Sequence, residues 1–198
     1  MVMFGGNVRR GDISGLVASG ETWEWDGVRW TLRDTIAAPS RLSTLAFDPR
    51  RGAVVRLTNG ELFAWNGATW TNLDIAGGPI SAAPIMVHEP ATGRLVVISS
   101  STLQAFALSG TTWQSFGTRI NQRFLSVEPS SGRVISGNGG EGAIWRLSGT
   151  TWELYRGAVE FNSLPLYNTA LDVARGTLVS LGTGSGAGLK LSTAVVVR

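Results

Sequence analysis

The chain has 198 residues, of which 43% are apolar and only 16% charged, with 26 glycines and a net charge of +3. It has no cysteine and one histidine, which excludes disulfides, thiolate metal centres and multi-histidine sites. The positive charge comes from sixteen arginines and Lys190, scattered except for Arg9-Arg10 and Arg50-Arg51, so no basic tract suits a nucleic acid; no apolar run approaches the roughly 20 residues of a membrane-spanning helix.

In chain order, Val2–Phe4 reads as a short strand ending at Gly5-Gly6. Asn7–Gly20 is polar and glycine-punctuated, a long loop with Leu16–Ala18 extended. Thr22–Arg33 follows, with the run Thr-Trp-Glu-Trp-Asp-Gly-Val-Arg-Trp ending at Trp30. This is an apolar run, a two-residue turn at Asp26-Gly27, and a return strand carrying a Trp. Asp-Gly and Asn-Gly are strong signals for a type I′ hairpin, which needs φ > 0 at both central residues. The pattern returns at Asn66-Gly67 with Trp70, at Ser109-Gly110 with Trp113, and at Ser148-Gly149 with Trp152.

A second marker runs in phase with the first. Leu42–Phe47 reads as a strand closed by Asp48-Pro49-Arg50-Arg51-Gly52. The turn recurs at Glu89–Gly93 and Glu128–Gly132, and in weaker form at Asp172–Gly176. An acidic side chain can accept backbone N–H bonds, proline pre-sets φ, and glycine supplies a left-handed exit. The Trp series steps by 40, 43 and 39 residues, and the acidic series by 41, 39 and 44. Four strands per repeat of this length is the unit of a β-propeller blade.

The expected fold is therefore all-β: one propeller domain of about five four-stranded antiparallel blades, incomplete or part of a larger propeller. Its repeats are 1–41, 42–82, 83–121, 122–166 and 167–198, with full blades starting near Leu42, Ala83 and Gln122. The first repeat lacks its opening strand and the last lacks a Trp hairpin, leaving eighteen strands. Unpaired apolar edges invite association. The ends are expected to lie adjacent, strands of one completing or flanking the sheet of the other, in a monomer; an open fragment would instead form a dimer or larger assembly. The chain begins in a strand and carries no signal peptide, which leaves its compartment undetermined.

Gly5-Gly6 after a strand, the Trp hairpin Thr22–Trp30 and the run Phe47–Val55 together resemble bacterial kelch-type repeats; the kelch-like blades of galactose oxidase are similar in kind. The match is good over residues 2–57 and fades afterward, with the diglycine kept at its repeat position only at Gly139-Gly140, while Asn59-Gly60 and Ser100-Ser101 stand in elsewhere. Ser-Gly-Thr-Thr-Trp at 109–113 and 148–152 also resembles half of a sialidase Asp-box, with Leu108 and Leu147 in place of its Asp. The resemblance implies a propeller and a binding platform, and it carries over no catalytic residue. Galactose oxidase chemistry needs a Cys–Tyr crosslink and histidine ligands, which this composition excludes.

Blades diverge from the ring axis, so the wedge between them widens outward and wants large side chains. Trp30, Trp70, Trp113 and Trp152 are expected to fill it, and Trp23, Trp25, Trp65 and Trp145 are read the same way. Asp48, Glu89, Glu128 and Asp172 are structural turn residues. His88 stands where other repeats carry Phe47, Val127 and Leu171, and is read as a half-buried substitute for them.

The connectors 34–41, 74–84, 117–123 and 156–166 differ in every repeat, and variable loops on a rigid scaffold are where binding concentrates. They and the strand start that follows carry the candidate ligand-binding residues Arg41, Arg119, Asn121, Arg123, Tyr167 and Asn168. Function is thus expected to be non-catalytic: a loop face that holds a protein or glycan partner, with no cofactor, no metal, no nucleic acid and no membrane insertion. One alternative is a sialidase-like glycoside hydrolase using the Arg cluster with Tyr155 or Tyr167 and Glu160 as the acid; another is a purely structural propeller fragment.

Overall fold

The computed structural model describes residues 1–9, 15–35, 43–75, 77–81, 84–99, 102, 104–116, 124–138, 143–156, 168–172, 177–183 and 189–195. No helix occurs among them, so none is long and apolar enough to cross a membrane. The first sheet is β1 (Val2–Phe4), β4 (Thr22–Trp25) and β5 (Trp30–Asp34), and a separate hairpin pairs β2 (Asn7–Arg9) with β3 (Leu16–Ala18). The second sheet is β6 (Thr44–Asp48), β7 (Ala53–Thr58), β8 (Glu61–Trp65) and β9 (Trp70–Asn72). The third is β10 (Ile85–Glu89), β11 (Arg94–Ile98), β12 (Ala105–Ser109) and β13 (Thr112–Phe116). The fourth is β14 (Phe124–Val127), β15 (Val134–Asn138), β16 (Ala143–Ser148) and β17 (Thr151–Arg156). The fifth is β18 (Asn168–Asp172), β19 (Thr177–Thr183) and β20 (Leu189–Val195). Every sheet is antiparallel with strands in sequence order, and the three complete ones begin two residues after Leu42, Ala83 and Gln122.

The sheets stack face to face as propeller blades. The opening strands β6, β10, β14 and β18 touch one another in turn, which places them innermost. Between the second and third sheets, Val55, Leu57, Leu62 and Ile75 meet Met86, Leu95, Val97 and Leu108. Between the third and fourth, Val96, Ile98, Ala107 and Phe116 meet Leu125, Val134, Leu147 and Trp152. Alternation along each strand supplies two apolar faces, one for each neighbour.

Three of the four repeat-phased tryptophans, Trp70, Trp113 and Trp152, follow a directional rule: each packs on the blade before its own. Trp70 of the second blade lies 5.6 Å from Phe4 of the first, and its Nε1 donates to Thr22 Oγ1 at 2.8 Å. Trp65 Nε1 donates to Glu24 Oε1 at 2.7 Å. Trp113 joins the cluster shared with the second blade, and Trp152 the cluster shared with the third. Trp65 and Trp152 are 6% exposed, whereas Trp70, Trp113, Trp23, Trp25 and Trp145 are only half-buried. Trp30 departs from the expectation, for it is 41% exposed. It belongs to the first blade, and among the described residues no earlier blade stands against its face. Met3 and Leu32 on that face are likewise exposed.

Two turn expectations are corrected. Neither Asp26 nor Asn66 has positive φ. Instead each carboxylate or amide oxygen accepts two backbone N–H groups: Asp26 Oδ1 from Val28 and Arg29 (2.8 and 2.9 Å), Asn66 Oδ1 from Ala68 and Thr69 (2.9 and 2.8 Å). The side chain caps a four-residue loop that the type I′ assignment overlooked. Among the described hairpin turns, the one central pair with both φ positive is Asn59-Gly60, between β7 and β8. The expected strand exchange between the ends also fails among the described residues, since the first and fifth sheets contain only their own three strands.

The acidic turns do more than reverse the chain, because they tie one blade to the next. Asp48 Oδ2 holds Arg51 Nη1 at 2.5 Å, and Arg51 Nη2 donates to Gly110 O of the next blade's hairpin at 3.0 Å. Glu89 Oε2 accepts from Arg94 Nε at 2.7 Å, and Arg94 Nη2 donates to Gly149 O one blade on. The turns themselves also touch, with Arg50 Nη2 donating to Thr92 O at 3.2 Å and Ala91 N to Gly132 O at 3.0 Å. Asp48, Glu89 and Glu128 are all buried, and Asp172 is half-buried.

Glu128 carries a pH dependence. Burial pushes its carboxyl upward, but hydrogen bonds from Ser131 and Tyr155 and the nearby Arg146 charge outweigh it, leaving the group below its usual 4.5. A depressed folded-state value means that the unfolded chain binds the proton more readily. The stabilisation is therefore present above 4.5 and disappears as pH falls through the lower folded value. We expect urea midpoints taken from pH 7 to pH 3 to fall less steeply at the acid end for Glu128→Gln than for the parent; parallel acid limbs would contradict this.

Candidate functional site

In an antiparallel blade the turns alternate between two ends. The acidic and Asx/Ser-Gly turns share one end, as the arginine bridges show. The turn between the second and third strands shares the opposite end with the connector to the next blade. On that connector end lies a cavity of about 450 Å³ lined by Asn59, Gly60, Glu61, Asn72, Asp74, Ile75, Gly77, Gly78 and Ile80.

Its floor is built by a backbone-to-backbone approach. A Cβ on Gly78 would run into the Gly60 carbonyl oxygen, and one on Gly60 would meet Gly78 O, so both positions need glycine. Ile75, 6% exposed, plugs into the core between the second and third blades and pins the connector there. Ile80 stands at the rim, largely exposed. Asn72 links the walls: its Nδ2 donates to Glu61 Oε1 at 3.2 Å, and its Oδ1 accepts from Asp74 N at 2.9 Å.

Asn59 (φ 49°) and Asp74 (φ 54°) are the only non-glycine residues with positive φ among those described, and both line this cavity. Such backbone states cost of order 1 kcal/mol or more and cluster where a site holds its groups in place. The cavity thus offers two carboxylates, two carboxamides and an apolar wall. That set suits hydrogen bonding to a polyhydroxyl ligand. No group of three or more His, Asp or Glu that could hold a metal occurs among the described residues.

The structure places the cavity on the connector 74–84, one of the four singled out in the sequence. The candidates Arg41, Arg119, Asn121, Arg123 and Tyr167 lie outside the described residues, as does Glu160. Asn168 opens β18, and only its backbone is described. Tyr155 is engaged structurally, its hydroxyl donating to Glu128 Oε1 at 2.5 Å. His88 is half-buried on β10, with Nε2 unpartnered. Sequence reasoning missed Asn59, Glu61, Asn72 and Asp74. The sequence signal that could have pointed there is Asn59-Gly60, a type I′ pair between β7 and β8.

No protein-family model matches the chain, and no curated relative does. Solved structures do. An X-ray structure described as a "putative gluconolactonase" matches with a TM-score of 0.59 and 15% identity over 97% of this chain and 77% of its own. A protein from Lactobacillus plantarum matches with a TM-score of 0.56 and 12% identity over 98% of this chain and 66% of its own. The chain therefore spans about two thirds to three quarters of these structures. Likeness at such identity supports the propeller fold; the kelch-type resemblance finds no counterpart in these comparisons.

Proposed function

We propose that the chain is a propeller binding module whose connector end takes a neutral hydroxyl-rich ligand, a sugar or its lactone, in the cavity lined by Asn59, Glu61, Asn72, Asp74 and Ile80. The observation that carries this reading is the coincidence of both left-handed non-glycine residues with two carboxylates and two amides around one cavity. Carboxylates accept in pairs from vicinal hydroxyls, amides both donate and accept, and Ile80 offers an apolar surface to a ring face.

Titration calorimetry of the whole chain against a panel of neutral monosaccharides and aldonolactones tests it. At least one should bind saturably, and Asp74→Asn or Glu61→Gln should weaken it by about tenfold or more, the loss of one charge-assisted hydrogen bond, with the melting temperature held. A panel without a binder, or affinity indifferent to both substitutions, overturns the reading. Likeness to a structure described as a gluconolactonase favours a second one, lactone hydrolysis at the same cavity. Ring opening of gluconolactone above the buffer rate, lost in Glu61→Gln, would establish that reading.

A further inference from the structure

The chain holds three Asn-Gly pairs, Asn59-Gly60, Asn66-Gly67 and Asn138-Gly139. Gly139 lies outside the described residues; the other two pairs close successive hairpins of the second blade. Asn-Gly is chemically labile because glycine, without a Cβ, leaves its own backbone nitrogen unshielded and free to reach the preceding side-chain carbonyl. Sequence gives these two pairs one reactivity. The structure gives them opposite surroundings.

At the turn between β8 and β9, the groups that loss of the amide requires are assembled. Asn66 Oδ1 accepts from Ala68 N at 2.9 Å and from Thr69 N at 2.8 Å. Two N–H groups thus meet the oxygen on which negative charge gathers when a nucleophile adds to that carbonyl. Asn66 Nδ2, the nitrogen that would leave, donates to Thr69 Oγ1 at 3.3 Å, so a hydroxyl stands beside it as a proton source. Asn66 N donates to Thr69 O at 3.3 Å, whereas Gly67 N donates to no group among the described residues. Residues 66–69 are all exposed, and a Cβ on Gly67 would meet nothing within 4 Å. The hairpin tips of the next two blades are equally open at Gly110 and Gly149, although an arginine is bonded to each carbonyl.

Asn59 is the opposite case. It sits at φ 49°, and Gly60 is wedged against the connector, with Gly78 O 2.9 Å from a Cβ position on Gly60. Closing a cyclic imide turns the Asn-Gly peptide plane and moves the glycine with it. Gly67 has room for that motion and Gly60 has none.

The first blade shows the product already built. Asp26-Gly27 holds the same place in its hairpin, since Trp25 pairs with Trp30 as Trp65 pairs with Trp70. Asp26 Oδ1 accepts from Val28 N and Arg29 N at 2.8 and 2.9 Å, and Gly27 has φ 105° against 94° for Gly67. The Asp26 carboxyl is held below its usual 3.8, first by the Arg29 N–H and then by that of Val28. An aspartate at position 66 inherits the equivalent two donors.

We propose that Asn66 is a self-modification site, where the folded hairpin promotes loss of the side-chain amide through the Ala68 and Thr69 N–H groups and the Thr69 hydroxyl. Asn59 keeps the amide that lines the connector-end cavity. Gly67 N bonds to Asn66 Cγ, the Cγ–Nδ2 bond breaks, and ammonia leaves carrying the proton from Gly67 N. Water then opens the imide. Opening at Cγ gives aspartate with the main chain unchanged, and opening at the main-chain carbonyl gives isoaspartate, with one methylene added to the backbone.

The full chain is held at mildly alkaline pH, once folded and once in guanidinium chloride. It is then cleaved after Glu61, which puts residues 59 and 66 in separate peptides, and each conversion is read as a gain of one mass unit. In the folded chain Asn66 should convert about tenfold or more faster than Asn59, and no slower than in the unfolded chain, where the two pairs convert alike. Thr69→Val should slow the folded-state conversion by about tenfold and leave the unfolded rate unchanged. Asn66→Asp should keep the parent's melting temperature, as the Asp26 hairpin implies. A folded-state rate at Asn66 below the unfolded one would mean that the bonds to Oδ1 hold the carbonyl away from Gly67, and it overturns the proposal. Equal conversion of the two pairs in the folded chain, or a rate indifferent to Thr69→Val, does the same.

Discussion

Trp152→Ala should cost about 3–5 kcal/mol of stability, the range for deleting a buried aromatic, while Trp30→Ala should cost less than about 1 kcal/mol. The two residues occupy the same position of the same motif, so sequence alone assigns them one value. The difference lies in what stands behind them. Trp152 is packed among Val96, Ile98, Ala107 and Phe116 of the third blade, and nothing in the described first blade's surroundings does this for Trp30. Trp152 Nε1 has no hydrogen-bond partner, so Trp152→Phe forfeits area but no hydrogen bond and should recover much of the loss. Urea unfolding of the three variants measures this. Equal losses at Trp152 and Trp30 would mean that an apolar surface covers the first blade's outer face in solution.

Glu89→Ala should cost about 3 kcal/mol or more, as expected when one partner of a buried ion pair is removed. Glu89 is 1% exposed and accepts from Thr92 Oγ1 at 2.5 Å, from Arg94 Nε at 2.7 Å and, weakly, from Val134 N of the next blade at 3.5 Å. Its loss leaves Arg94 unheld, and with it the donor to Gly149 that fastens the third blade to the fourth. Arg94 keeps some solvent contact, which limits the penalty. Glu89→Ala with Arg94→Ala should therefore cost clearly less than the two single losses added, because the charge stranded in one single variant is gone from the double. Strict additivity in that cycle would show the pair to be energetically independent and the turn to act by backbone geometry alone.

The sequence by itself determined the blade, because everything that makes one is local. Asp48-Pro49, Glu89-Pro90 and Glu128-Pro129 reverse the chain by their own side chains and φ limits, and the Trp hairpins recur with the same period, so the strands between them follow. Even the uneven ends were readable, as a first repeat without its opening strand and a last one without its fourth. Local chemistry did not reach the turn type at Asp26 and Asn66, where a side-chain oxygen won over the backbone pattern.

Only the tertiary structure decided what each repeated residue does. Trp70 is a hydrogen-bonded wedge because Thr22 lies across the interface, and Trp30 is exposed because none of the described residues forms a blade across from it. Arg51 and Arg94 look like surface charges in the sequence, and become fasteners only when the next blade brings Gly110 and Gly149 within reach. The cavity at Asn59 and Asp74 arises from a turn and a connector about 15 residues apart, forced together by glycines whose role appears only when two backbones touch. A repeat specifies its own unit; a site needs the distances between units, and those come from how the blades pack.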